Sequence, residues 1–301
     1  MISCQKLNPN RRQQIKAAKT SIGPDGNLFI YYLKGRLRTE SGLFRNNFIG
    51  NWEEEEDSFL FFSSPASLQI QALLHNQRQL SYVDSYQMSY DQWLGEVFKT
   101  YEHGKFCITP RWESGKGGTS GDKIRILLDP GLVFGTGTHP TTRDCLEALE
   151  AAAGSNELHT VLDLGSGTGL LSLAAARLGS QHVVAVDLNL LAAKTTAGNV
   201  RLNQLEDRVI TVQGKAEDAI AYPADLIIAN IHYDVMRQLI DSQGFLDKKR
   251  FILSGLLRSE AKDVADRLAR HPAKIMNQWT RDGIWHTFYG KIEQDGPFDS
   301  Q

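Results

Sequence analysis

Cysteine is scarce in this chain. Cys4, Cys107 and Cys145 are odd in number and scattered, with no C-x-x-C pair and no His/Cys spacing suited to zinc. That pattern excludes a disulfide framework and a structural metal, and a reducing cytoplasmic setting is the expectation. The first 20 residues contain no apolar signal-peptide core, and no run of 18 apolar residues occurs anywhere, so neither secretion nor membrane spanning has a sequence signal. Internal repeats and low-complexity tracts are also missing. The net charge is only −2, close to neutral for the chain as a whole.

What is present is uneven. Residues 1–52 hold nine basic side chains (Lys6, Arg11, Arg12, Lys16, Lys19, Lys34, Arg36, Arg38, Arg45) against Asp25 and Glu40, and the run Glu53-Glu-Glu-Glu-Asp57 follows. Such runs are most simply solvated surface and turn; the sharper reading is a basic patch that touches RNA or an acidic partner. Apolar alternation predicts strands at 28–33 and 59–62. Helical spacing predicts a helix over 67–80 capped by Ser67, and an amphipathic connecting helix over 90–101. The stretch 113–121, rich in Gly and Ser, reads as a surface loop between strands at 106–109 and 124–128.

From residue 143 onward helix and strand alternate: helix 145–153, strand 160–164, helix 170–178, strand 183–186, helix 190–202 and strand 209–212. Further strands at 225–230 and 251–254 and a helix over 264–268 follow. This is the pattern of a parallel sheet with helical crossovers. At the end, 274–279 and 284–289 flank Arg281-Asp-Gly283 and read as an appended antiparallel hairpin.

Chemistry concentrates at Val161-Leu-Asp-Leu-Gly-Ser-Gly-Thr-Gly-Leu-Leu-Ser-Leu173, where a strand runs through Gly165, Gly167 and Gly169 into a helix. Glycines there allow a tight turn and close approach of a ligand to the backbone. Asp187 ends the next strand, where a carboxylate reaches ribose hydroxyls. Asp163, on the first strand, reads either as a cofactor-site acid or as a carboxylate that stabilises the turn. Upstream stands Leu128-Asp-Pro-Gly-Leu-Val-Phe-Gly-Thr-Gly-Thr-His-Pro-Thr-Thr142, which by physics alone is a lid, an anion nest or an irregular connection.

The G-x-G-x-G spacing resembles the S-adenosylmethionine loop of class I methyltransferases. The 128–142 segment closely resembles the D-P-G-x-x-F-G-T-G-x-H-x-T-T signature of the PrmA family, the methyltransferases of large-subunit ribosomal protein eleven. The likeness continues through Trp93, Thr109-Pro-Arg-Trp112, Ala229-Asn-Ile231, Leu253-Ser-Gly-Leu-Leu257, Asp282-Gly-Ile-Trp285 and Phe288-Tyr-Gly290, covering roughly residues 90–290. Before residue 88 no pattern aligns, and Asn230-Ile-His-Tyr-Asp234 departs from the small or aliphatic residues of many relatives.

The resemblance implies an α/β fold: a Rossmann-like class I methyltransferase sheet, mostly parallel with a C-terminal antiparallel hairpin, preceded by a smaller α+β domain. The implied division is 1–88 for substrate recognition, 89–104 as a linker helix and 105–301 for methyl transfer. The implied cofactor is S-adenosylmethionine. Phe134, Gly135, Thr136, Thr142, Asp163, Gly165, Gly167, Gly169, Asp187, Leu188, Ala216 and Asn230 are its binding positions, with the Phe134–Thr138 loop closing over the methionine end. Asn230 and the Ile231 carbonyl can accept from an incoming amine. His139, His232 and Tyr233, on loops expected to face the same cleft, are candidate proton acceptors or aromatic walls; a structural role is the more common one for a loop histidine. The implied activity is N-methylation of lysine or N-terminal amines of a ribosomal protein, free or in the ribosome, with RNA contact through the basic region and no membrane. An RNA nucleobase N-methyltransferase and a non-catalytic ribosome-associated cofactor binder are the alternatives.

Overall fold

A computed structural model describes residues 26–38, 47–95, 97–115, 121–155 and 158–293. Lys6, Arg11, Arg12, Lys16, Lys19 and Arg45 of the basic region, Cys4 and the centre of the 113–121 stretch lie outside the described residues. The first unit is a four-stranded antiparallel sheet in the order β2-β3-β1-β4, made by β1 (Asn27–Lys34), β2 (Phe48–Glu54), β3 (Asp57–Phe62) and β4 (Ser81–Ser89). The helix α1 (Ser67–Asn76) covers one face, burying Ile70 and Leu73 against Tyr31, Leu33, Leu60 and Phe62. The acidic run forms the β2–β3 turn, with Glu55 at φ 49°.

Two sequence expectations change here. The helix over 67–80 ends at Asn76 and its cap is Ala66; the Ser67 hydroxyl instead meets the Tyr31 hydroxyl at 3.3 Å. The helix over 90–101 shrinks to α2 (Tyr90–Leu94), because Gly95 adopts a left-handed φ of 75° and stops it. Its N-terminus carries a capping box between Ser89 and Gln92. The apolar residues beyond serve other elements: Phe98 is buried, and Tyr101 opens β5 (Tyr101–His103).

A small sheet β5-β6-β7 follows, with β6 (Phe106–Pro110) and β7 (Ile124–Leu128) parallel. After α3 (Pro140–Ser155) comes the main sheet, whose parallel strands are β8 (Thr160–Leu164), β9 (His182–Asp187), β10 (Val209–Gln213), β11 (Leu226–Asn230) and β12 (Arg250–Leu257). The hairpin β13 (Ala273–Arg281) and β14 (Trp285–Ile292) completes the order β10-β9-β8-β11-β12-β14-β13. Its turn residues Asp282 and Gly283 both have positive φ, 55° and 66°, as a tight hairpin turn requires.

Helices cover both faces, so the central strands are apolar on both sides. Val161, Ala185 and Ile228 face α3, α4 (Leu170–Arg177) and Val200 of α5 (Leu190–Leu202). Leu162, Val184 and Ile227 face the other side. There α6 (Ala216–Ala219), α7 (Tyr233–Ile240), α8 (Gln243–Leu246) and α9 (Arg258–Leu268) pack. The chain runs outward from β8 to β9 and β10, then returns to β11 on the other side of β8. That reversal opens a crevice at the carboxyl ends of β8 and β11, where ligands of such sheets bind.

The first unit is not loosely tethered. Leu28, Ile30, Phe61 and Tyr90 share one buried cluster with Leu132, Val133, Leu191 and Ala192. The Tyr90 hydroxyl donates to the Gly131 carbonyl at 2.5 Å, and a Cβ on Gly50 would lie 2.6 Å from Leu191.

Candidate functional site

The glycine loop is built by backbone conformation. Gly165, Gly167 and Gly169 have φ of 75°, 55° and 82°, values L side chains rarely adopt. A Cβ at Gly165 would strike Ile231, and one at Gly167 the Phe134 carbonyl. The loop is tied to the end of β9: Gly165 N–H donates to the Val186 carbonyl at 2.8 Å and Gly167 N–H to Asp187 Oδ2 at 2.9 Å. Asn189, the side-chain cap of α5, donates its N–H to Asp187 Oδ1 at 2.9 Å. One backbone donor thus fixes each Asp187 oxygen and leaves further acceptor capacity at the strand tip. Burial pushes its carboxyl above the usual range, and the two N–H donors oppose that rise.

Asp163 is placed differently. It is buried under the loop, and Ser172 of α4 donates to its Oδ2 at 2.5 Å. Burial, with repulsion from Asp187, pushes its carboxyl up to about 6, against the Ser172 bonds. Leu188 is strongly exposed beside Asp187, and Ala216, at the start of α6, is half-buried.

The Phe134–Thr138 segment is pinned rather than free. The Phe134 carbonyl accepts from Thr168 N–H at 3.1 Å and the Gly135 carbonyl from Thr168 Oγ1 at 2.6 Å. On its other flank the Tyr101 hydroxyl donates to the Thr136 carbonyl at 2.9 Å. The Thr136 and Thr138 hydroxyls bond each other at 2.7 Å. Thr142, on the first turn of α3, is buried and its Oγ1 has no hydrogen-bond partner, although buried hydroxyls are normally satisfied.

Asn230 ends β11 beside the glycine loop. Its Nδ2 reaches Thr141 Oγ1 at 3.4 Å, a long contact, and Thr141 Oγ1 also meets His139 Nδ1 at 2.8 Å. Ser254, opposite Asn230 in the parallel register, donates to the Thr141 carbonyl at 3.3 Å. Gly255 has φ 85°, and a Cβ there would lie 3.0 Å from Asn230 Oδ1. Thr141, Ser254 and Gly255 therefore frame Asn230, and sequence reasoning missed that role. All three fall within segments of the family likeness, but their convergence is long-range.

The structure does not gather all the candidates. His139 Nδ1 is taken by Thr141 N–H and hydroxyl, and its ring packs edge-on to Phe134 and Trp285 at 5.3 and 4.9 Å between centroids. Burial lowers its pKa and favours the neutral ring, which packs as a wall between Phe134 and Trp285. His232 caps α7 with a side chain 77% exposed. Tyr233 gives its hydroxyl to Asp263 of α9 at 2.7 Å, which pushes its pKa up. His232 and Tyr233 serve α7 and its packing in this arrangement, whereas Asn230 and Ile231 border the loop.

The family model described as ribosomal protein L11 methyltransferase (PrmA) covers residues 53–293, reaching further upstream than the motifs. The chain belongs to the PrmA family. A protein of that name from Anoxybacillus flavithermus is 38% identical over 189 residues, 62% of this chain and 59% of the relative. One from Clostridium perfringens is 32% identical over 217 residues, 70% of this chain and 67% of the relative. The chain thus spans less than two thirds of the Anoxybacillus relative's length. The crystal structure of a ribosomal protein L11 methylase from Lactobacillus delbrueckii subsp. bulgaricus superposes with a TM-score of 0.57 at 28% identity, covering 65% of this chain and all of that one. The PrmA chain's main sheet is accordingly of the Rossmann-like class I methyltransferase type. Among the described residues no helix is long and apolar enough to cross a membrane.

Proposed function

We propose that this PrmA-family chain transfers methyl groups from S-adenosylmethionine to lysine or N-terminal amines of a large-subunit ribosomal protein, in the cytoplasm. In this reading residues 1–88 recognise the substrate, 89–104 link, and 105–301 carry the chemistry. The observation that carries it is the meeting of the glycine loop, Asp187 and Asn230 at the switch point of the sheet.

The residues present fit the cosubstrate. Asp187 keeps acceptor capacity for ribose hydroxyls, and Thr142 keeps a buried hydroxyl without a protein partner. Leu188 and Ala216 offer apolar contacts past the strand ends, while Gly165, Gly167 and Gly169 bring backbone close. Phe134, Gly135 and Thr136 supply the wall beside the loop, and Asp163 acts from beneath through Ser172 and α4. When bound, S-adenosylmethionine supplies a methyl group already activated by its sulfonium.

The chain's part is then to orient an amine and keep water away. Asn230 Oδ1 receives no hydrogen bond from the described residues, so it can accept from the amine and aim the lone pair; the Ile231 carbonyl can do the same. A lysine amine has a reference pKa near 10.4, and an apolar surrounding lowers it without a strong base.

Incubation with radiolabelled S-adenosylmethionine and whole ribosomes tests the proposal. Label is expected in a large-subunit protein, falling about 100-fold with Asn230→Ala, equivalent to about 2.7 kcal/mol of transition-state stabilisation. Label in ribosomal RNA instead would overturn the protein assignment.

A further inference from the structure

The shared core between the two units stops short of filling their interface. Past it, a cavity of about 880 Å³ opens between the first sheet and the Phe134–Pro140 segment. The glycine loop, Asp187 and Asn230 do not line it, but Phe134, Gly135 and Thr136, the wall beside that loop, do. Its floor is one face of the antiparallel sheet. Trp52 and Glu54 are two apart on β2 and share that face, Trp52 lies opposite Phe59, and Ile30 lies between Phe61 and Tyr86. Phe59 is stacked on Tyr32 at 4.8 Å, and Trp93 stands edge-on to Phe61 at 5.0 Å. The roof is Phe134, Thr136 and Thr138. Tyr86 and Phe134 remain 46% and 53% exposed, so the aromatic surface stays open to solvent at both floor and roof.

Two features select what such a cavity takes. The first is charge. Glu54 lines it with no hydrogen bond or ion pair among the described residues, beside Glu53, Glu55 and Glu56. Lys34 is spent on Asp57 at 3.0 Å, and Arg36 Nε is spent on the Glu55 carbonyl rather than on a carboxylate. The second is hydrogen-bonding capacity. The two roof hydroxyls are paired with each other, and apart from Glu54 the floor is rings and aliphatic groups. The lining offers the three N–H donors of an ammonium few acceptors beyond the Glu54 carboxylate, whereas a methylated ammonium has few donors to satisfy and is attracted to π faces.

We propose that this cavity is a cation-accepting subsite for the aliphatic stem and methylated ammonium of a lysine side chain, with Trp52, Phe59 and Tyr86 as its π faces and Glu54 as its countercharge. The proposal rests on the amine-methylating reading above and names a second place for the modified side chain. Position supports it. The roof is the segment whose Phe134 and Gly135 carbonyls hold Thr168 of the glycine loop, so a single stretch of backbone separates the cavity from the methyl-transfer crevice. A side chain that has lost its donors to methylation loses its bond to Asn230 and gains affinity across that wall.

Two probes titrated into the full chain decide the matter, with tryptophan fluorescence and calorimetry as readouts. One is acetyl-trimethyllysine amide; the other is its neutral counterpart with a tert-butyl group in place of the trimethylammonium. The cation is expected to bind about tenfold tighter or better than the neutral probe. Trp52→Leu should weaken cation binding about tenfold, and Glu54→Gln, an exposed change with no packing cost, about threefold. Equal affinity for the two probes, or cation binding undiminished in both variants, would overturn the subsite. Binding of S-adenosylhomocysteine by the parent chain, measured in parallel, reports on the methyltransferase reading separately.

Discussion

Asp163 and Asp187 lie at the carboxyl ends of neighbouring strands, one before the last residue of β8 and the other the last of β9, yet their surroundings give them opposite duties. Asp163 is enclosed and answers only to Ser172, and its folded pKa, pushed up to about 6, lies above the unfolded value near 3.8. The folded state therefore holds the Asp163 proton more tightly. Between roughly pH 4 and 6 its contribution to stability falls as pH rises, and above pH 6 the full penalty is present. At about 1.4 kcal/mol per unit, two units amount to about 3 kcal/mol. Asp163→Asn, which keeps an acceptor for Ser172, should stabilise the protein by about 2 to 3 kcal/mol at pH 7.5 in urea denaturation, with the gain shrinking toward nothing at pH 4. A gain independent of pH would refute this account. Asp187 carries the complementary expectation. Asp187→Ala should weaken S-adenosylhomocysteine binding by about 1.5 to 3 kcal/mol in calorimetry, through loss of a charged acceptor. Both carboxylates and the glycines were legible because strand, loop, helix and strand follow one another within 27 residues. The frame around Asn230 was not, since Thr141 and Ser254 meet it from 89 residues upstream and 113 residues from each other.

At the scale of elements, the C-terminal hairpin is fastened to α3 by charge. Arg281 on β13 donates to Asp144 at 2.7 Å and to Glu147 at 2.8 Å, and Trp279 Nε1 adds a bond to Glu147 at 2.7 Å. Asp144 is fully enclosed; burial raises its pKa and Arg281 pulls it back. Removing the guanidinium would strand a buried carboxylate. Arg281→Ala should cost about 2 to 3 kcal/mol at pH 7, at the low end for a broken buried pair because Arg281 is 41% exposed. The loss should shrink in acid as Asp144 takes a proton, which thermal melts across pH would reveal. The hairpin itself was readable from Asp282-Gly283, a turn needing two positive φ values, and the parallel strands from their uniformly apolar runs. Other elements had no such mark. The edge strand β4 is exposed along most of its length, so no apolar alternation announces it, and the acidic turn hides the end of β2. Spacing alone carried the predicted helix past Gly95, whose left-handed conformation ends it.

For the whole molecule, the cluster of Leu28, Ile30 and Phe61 with Leu132, Val133, Leu191 and Ala192 makes the two units mutually dependent. Unfolding should therefore be a single transition. Near-ultraviolet signals from Trp52 and Trp93 and far-ultraviolet signals from the whole sheet are expected to coincide in temperature. Two separated transitions would show that the units are independent. The order of the main sheet adds a consequence for how the protein comes into being. Strand β14, the last in the described chain, lies inside the sheet between β12 and β13, and it supplies Phe288 and Tyr289 to the cores on both faces. During synthesis the ribosome releases β12 long before β14, leaving its outer edge unpaired and its apolar faces half covered. The sheet can close only when residue 292 has cleared the exit tunnel.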